Sequence, residues 1–183
     1  MKEARPLPAT AWAVLGVLSW DREMTGYDIK QWADHSLTFF YWSPAVSQIY
    51  GELKRLETVG YITGRDEPVD EQRTKRVYAI TDDGRKALTE WLEDSPVDAP
   101  VLKHGVMLRV WLGHMSTPER LRETLLRHRE QTEAMLADVA ASERSAEHEP
   151  DWSYPALVLR WGERYYRNEL AQIDELLQEL DGR

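Results

Sequence analysis

The sequence contains no cysteine. That excludes a disulfide framework, a zinc–thiolate site and cysteine catalysis, and it fits a reducing compartment. Long apolar runs are missing as well. None approaches the roughly 20 residues a membrane span needs, and Met1 to Thr10 lacks the apolar stretch of a secretory signal. A cytoplasmic chain is expected. Positive charge is in deficit: 23 Lys and Arg stand against 32 Asp and Glu, a net charge of −9. Affinity for a polyanion rests on Lys and Arg at phosphates, so the charge balance argues against promiscuous binding to nucleic acid. It does not argue against a small, directed basic strip.

The signatures of catalysis are missing too. There is no Gly-rich phosphate loop and no Gly-x-Ser-x-Gly nucleophile elbow. The five histidines are His35, His104, His114, His128 and His148, and none has the i, i+3 or i+4 partner of a helical metal site. Glu147-His148-Glu149 reads as an exposed polar linker sooner than as a weak metal site. Asp82-Asp83 reads as helix-start charge rather than an acid/base pair. No catalytic residue, metal or cofactor is expected, and the chain is not read as an enzyme.

What is present is enough apolar material for a core, 42% of 183 residues, which suits one medium or two small domains. Ala9 to Trp20 is apolar and helix-compatible. Thr25 can cap a second helix over Gly26 to His35, with Ile29 and Trp32 on one face. Ser43-Pro44 predicts a third helix start, with serine as N-cap and proline at the first helical position. Its core stripe is Ile49, Leu53 and Leu56, and Gly60 ends it. Tyr61 to Arg65 and Lys75 to Thr81 read as two short strands around a long charged tip, Asp66 to Thr74. Thr81-Asp82-Asp83-Gly84 opens a fourth helix with Leu88, Trp91 and Leu92 as its apolar face.

Asp94 to Pro100, rich in Pro and Asp, reads as the domain boundary. Beyond it, helices are expected over Val101 to Met115, Pro118 to Ser145 and Tyr154 to Leu180. The second carries Leu121, Leu125, His128, Thr132, Met135 and Val139 at alternating four and three spacing, as in a coiled-coil seam with two polar members. The third repeats that spacing at Tyr166, Leu170, Ile173, Leu177 and Leu180, and bears a second stripe at Tyr154, Leu157, Trp161 and Tyr165. The expected fold is mainly α with a small β-hairpin. Residues 1–95 form a winged helix-turn-helix DNA-binding domain, and residues 96–183 form an antiparallel helical dimerisation and effector domain.

Helix, helix, helix, hairpin, helix is the winged helix-turn-helix order, in which the third helix enters the major groove and the wing meets the backbone or minor groove. Advancing about 100° per residue from Ile49 puts Pro44, Ser47, Gly51, Lys54, Arg55 and Thr58 on the outward face. Gln48 and Tyr50 fall on its shoulders, and Glu52 and Glu57 point toward the protein. Thr25, Tyr27, Lys54 and the wing residues Arg73, Lys75 and Arg76 are candidates for phosphate contact. Ser47, Gln48 and Tyr50 are candidates for base edges, with Ser43 and Arg55 completing the surface. Gly51 costs roughly 1 kcal/mol in a helix. Its bare backbone either admits close approach to DNA or is a tolerated surface glycine. Asp66, Glu67, Asp70 and Glu71 repel phosphate, so the tip either points away from the duplex or pairs with the basic strand.

These residues resemble a family. Leu15-Gly16-Val17-Leu18, Thr25-Gly26-Tyr27-Asp28-Ile29, Ser43 to Tyr50, Leu53 to Ile62 and Arg76 to Gly84 match, in order and spacing, the PadR family of bacterial transcriptional regulators. Residues 101 to 180 resemble the helical C-terminal domain of the subgroup that includes virulence activators, through length, position and helicity. The resemblance implies a homodimer straddling an inverted-repeat operator, with C-terminal helices exchanging contacts between protomers. It further implies regulation of transcription: several members are repressors released by a small aromatic or drug-like effector, and at least one member with this long tail is an activator. The family often places arginine or proline where Gly51 stands. If that arginine meets phosphate, Lys54 or Arg55 would have to do so in its stead. Trp152, Tyr154, Trp161 and Tyr165 read either as an effector pocket between the domains or, the weightier reading, as core and dimer contacts. The alternative function is a winged-helix protein–protein interaction module that does not bind DNA.

Overall fold

The computed structural model describes residues 7–20, 22–70, 73–97, 99–146 and 152–182. Glu71 and the Glu147-His148-Glu149 segment lie outside them. The chain divides into two compact units, Met1–Asp98 and Ala99–Arg183.

The first unit runs α1 (Ala9–Leu18), β1 (Met24–Thr25), α2 (Gly26–Asp34), a 3-10 turn (Leu37–Phe39), α3 (Val46–Thr58), β2 (Ile62–Pro68), β3 (Thr74–Ile80) and α4 (Asp82–Asp94). Thr25 caps α2 as expected: its Oγ1 accepts from the Asp28 N–H at 3.1 Å, and Asp28 Oδ2 accepts from the Thr25 N–H at 2.8 Å. Gly60, at φ 82°, ends α3 in the left-handed region that glycine enters at little cost. The core gathers Val14, Leu15 and Leu18 of α1, Ile29 of α2, Ile49, Leu53 and Leu56 of α3, then Ile62, Tyr78 and Leu88. The ring of Trp12 stacks on Trp91 at 5.3 Å.

Four local expectations are corrected. The third helix begins at Val46, not at Ser43-Pro44. Ser43 instead joins Asp34 and Lys30, and Pro44 is buried rather than outward, because it precedes the helix and the helical angle does not apply to it. The hairpin pairs from Ile62↔Ile80 through to Pro68↔Thr74, so its strands are longer and its tip shorter than the charge pattern implied. Pro68 is tolerated because β2 is an edge strand in the order β1-β3-β2. Leu92 is 68% exposed and does not join Leu88 and Trp91 against the core.

The second unit contains α5 (Gly105–Trp111), a 3-10 turn (Gly113–Met115), α6 (Pro118–Ala146) and α7 (Ser153–Asp181). Val101 to His104 are not helical, a further correction; the helix starts only where His104 Nδ1 accepts from the Met107 N–H at 3.3 Å. Arg122 meets Asp181 and Arg129 meets Asp174, so α6 and α7 run antiparallel. Leu125, Ile173 and Leu177 form the buried seam, with Val106, Met107 and Val110 of α5 packed on it. The polar seam members are satisfied: Thr132 Oγ1 donates to the His128 carbonyl at 2.9 Å, and His128 Nε2 bonds Glu169 at 2.9 Å. Among the described residues, no helix is long and apolar enough to cross a membrane.

Candidate nucleic-acid interface

The helix α3 is built so that one face must be wet. Ile49, Leu53 and Leu56 are fully buried, which turns Ser47, Gln48, Tyr50, Gly51, Lys54, Arg55 and Thr58 to solvent. A side chain at Gly51 would meet nothing within 4 Å, so the position is open to whatever approaches the helix. The ring of Tyr50 covers the backbone of Gly26, where a Cβ would lie 2.7 Å from it, which ties this shoulder of α3 to the start of α2. Gln48 also acts within its own helix, where its Oε1 accepts from the Ala45 N–H at 2.9 Å and caps the first turn. Thr25 is likewise engaged as a cap. Tyr27 is 62% exposed, with its hydroxyl accepting from Gln31 at 3.3 Å.

The wing is a lattice of ion pairs. Arg76 donates to Glu57 of α3 at 2.7 Å and to Asp66 of β2 at 3.0 Å, and lies over the Tyr78 ring. Lys75 pairs with Glu67, Arg73 with Asp70, and Arg65 with Glu23 and Glu67. The acidic residues Asp66, Glu67 and Asp70 therefore pair with the basic strand. Hydrogen bonds from Lys75 and then Arg65 hold the Glu67 carboxyl below its ordinary value, and Arg65 does the same for Glu23. Arg55 pairs with Glu52 within α3. Of the five cations proposed for DNA, Lys54 alone has no acidic partner among the described residues. Sequence patterning located these charges and offered pairing of the tip with the basic strand as one of two readings; the pair from Arg76 to Glu57 depends on the reach of another element.

The aromatic set of the second unit is exposed on α7. Tyr154 is 78% and Trp161 50% exposed, and Trp161 stacks on Tyr165 at 5.5 Å. Trp152, at the start of α7, is partly buried. A separate cleft of about 470 Å³ within this unit is lined by Val110, Trp111, Leu121, Leu125, Leu176 and Leu180, none of them in the aromatic set singled out from sequence.

Comparison with known proteins agrees with this arrangement. Residues 14–90 match the Transcriptional regulator PadR-like family, and residues 102–181 match the family described as Virulence activator alpha C-term. The chain is 27% identical over 178 residues to the Negative transcriptional regulator PadR of Bacillus subtilis, covering 93% of this chain and 96% of that one. It superposes on Bacillus subtilis PadR in complex with operator DNA with a TM-score of 0.79 at 27% identity, covering 94% of this chain and 99% of the other. For the same regulator in complex with p-coumaric acid the TM-score is 0.71, at 27% identity, with 95% and 99% covered. The Vibrio cholerae virulence activator AphA gives 0.71 at 27% identity, with 95% and 99% covered. The chain belongs to the PadR family of transcriptional regulators, a class of DNA-binding proteins rather than enzymes, and carries the virulence-activator type of helical C-terminal domain.

Proposed function

We propose that this regulator is a homodimeric, cytoplasmic repressor that reads an inverted-repeat operator with α3 and the wing, and that a small aromatic or drug-like effector releases it. The observation that carries the reading is the segregation on α3. Ser47, Gln48, Tyr50, Lys54 and Arg55 face solvent around the bare backbone of Gly51, while Glu52 and Glu57 are drawn into pairs with Arg55 and Arg76. Lys54, Arg73, Lys75 and Arg76, with Thr25, Tyr27 and Ser43 at the margin, set register on phosphates; Ser47, Gln48 and Tyr50 approach base edges. The dimer is supported by the exposed stripe Tyr154, Leu157, Trp161 and Tyr165, since monomers rarely leave contiguous apolar surface of this kind in water. Repression and effector release draw on the Bacillus subtilis relative, a negative regulator crystallised with p-coumaric acid. Trp152, Tyr154, Trp161 and Tyr165 are the residues proposed to sense the effector.

Footprinting on the chain's own upstream region, with tryptophan quenching by planar phenolic acids, tests the proposal. A protected inverted repeat released by a quenching compound supports it. The absence of both overturns it. One observation favours the rival interaction module: nearly every wing cation is already neutralised. Recovery of a protein partner, with no salt-sensitive DNA binding, decides for that rival.

A further inference from the structure

Outside the DNA surface, three ligand-bearing side chains converge inside the second unit. His104 precedes α5, His128 lies on α6 and Glu169 on α7. Their nearest ligand atoms all fall within 4.8 Å of one another. His104 Nε2 is 2.7 Å and His128 Nε2 2.9 Å from the same oxygen, Glu169 Oε1. Their side chains are 14%, 20% and 12% exposed, so the cluster is built into the helix junction and is not a chance surface grouping. Burial pushes the Glu169 carboxyl up, but hydrogen bonds from His104 and His128 hold it below its ordinary value.

We propose that His104, His128 and Glu169 bind one divalent transition-metal ion, of the zinc, cobalt or nickel class, that ties α5, α6 and α7 together. Two imidazoles and one carboxylate suit such borderline ions, whereas magnesium and calcium demand oxygen ligands. Three protein ligands leave a fourth position for water or a small anion.

The chemistry balances by tautomer exchange. In the metal-free protein His104 Nδ1 accepts from Met107 N–H, so its proton sits on Nε2, facing Glu169. To ligate through Nε2, an imidazole that carries its proton there shifts it to Nδ1, and that exchange releases no net proton. The ligand atoms must then open to about 3.3 Å, as ligand bonds of about 2.0–2.1 Å in tetrahedral geometry require. His104 Nδ1, once protonated, no longer accepts from Met107, so the metal is bound at the expense of the cap on α5.

The test uses the untagged chain of residues 1–183, titrated with Co2+ by visible absorption and with Zn2+ by calorimetry. One ion per chain is expected, with the Met107 amide resonance displaced on Zn2+ binding. His128→Gln should weaken binding more than about tenfold, since even outer-sphere partners of a metal are worth that much. Glu169→Gln, which keeps shape and polarity, should do the same and serves if His128→Gln perturbs folding. His114→Ala and His148→Ala should leave binding intact. No stoichiometric binding, retention of affinity in both ligand variants, loss of affinity in His148→Ala, or an unmoved Met107 amide would each overturn the three-ligand site.

Discussion

Glu57 and Arg76 form the joint between α3 and the wing. Glu57 Oε1 takes the Arg76 guanidinium at 2.7 Å and the Gly64 N–H at 3.1 Å, so one carboxylate of α3 grips both strands of the hairpin. Glu57→Gln keeps an acceptor for Gly64 but releases Arg76. Amide exchange across β2 and β3 should quicken. Binding to random-sequence DNA should tighten while preference for the operator falls, because Arg76 gains freedom at phosphate as the wing loses its fixed angle. Exchange mass spectrometry and fluorescence anisotropy measure the two effects; unchanged exchange would refute the joint.

The ion pairs of the wing have a pH signature. Glu67 and Glu23 titrate below their ordinary value of 4.5 in the folded protein. They take up protons less readily folded than unfolded. The stability they contribute is therefore complete above the unfolded value and lost as pH falls through the lower folded values. Carboxyl carbon shifts should give Glu67 a midpoint below 4.5, and Lys75→Ala should move it upward. A midpoint indifferent to Lys75→Ala would contradict the pairing.

Gly84 carries a steric demand. A Cβ there would lie 2.1 Å from the Tyr61 carbonyl oxygen, and backbone cannot swing aside as a side-chain tip can. Gly84→Ala should destabilise the first unit by about 1–3 kcal/mol, as overpacking does. Urea denaturation followed by tryptophan fluorescence checks this. A neutral result would mean that α4 shifts freely.

Gly51 makes the opposite prediction. A methyl group fits there with open space around it, so Gly51→Ala should stabilise α3 by about 1 kcal/mol. If the bare backbone meets DNA, the same change should weaken operator binding. A stabilised protein with native affinity would make Gly51 an ordinary surface glycine.

Much of the fold and of the solvent-facing strip of α3 was legible in the sequence because it is local. The cap at Thr25, the stop at Gly60 and the buried stripe Ile49, Leu53 and Leu56 depend on neighbours within one or two turns. The errors arose where distant groups compete. Ser43 reads as a helix cap, but Asp34 and Lys30 take its hydroxyl. Leu92 has the helical spacing of a core residue, yet the core ends at Trp91. The cluster at Glu169 was invisible to helical spacing because its histidines lie 41 and 65 residues away. The available signal was a polar His128 inside an otherwise apolar seam.

The central claim is that an acidic chain binds DNA through a narrow strip in which Lys54 is the cation without an acidic partner among the described residues. The most direct test is a salt titration of binding for the native protein and Lys54→Ala, on operator and on random DNA. The account predicts equal weakening on both sequences and a salt slope reduced by about one. Native affinity and an unchanged slope in Lys54→Ala would contradict it.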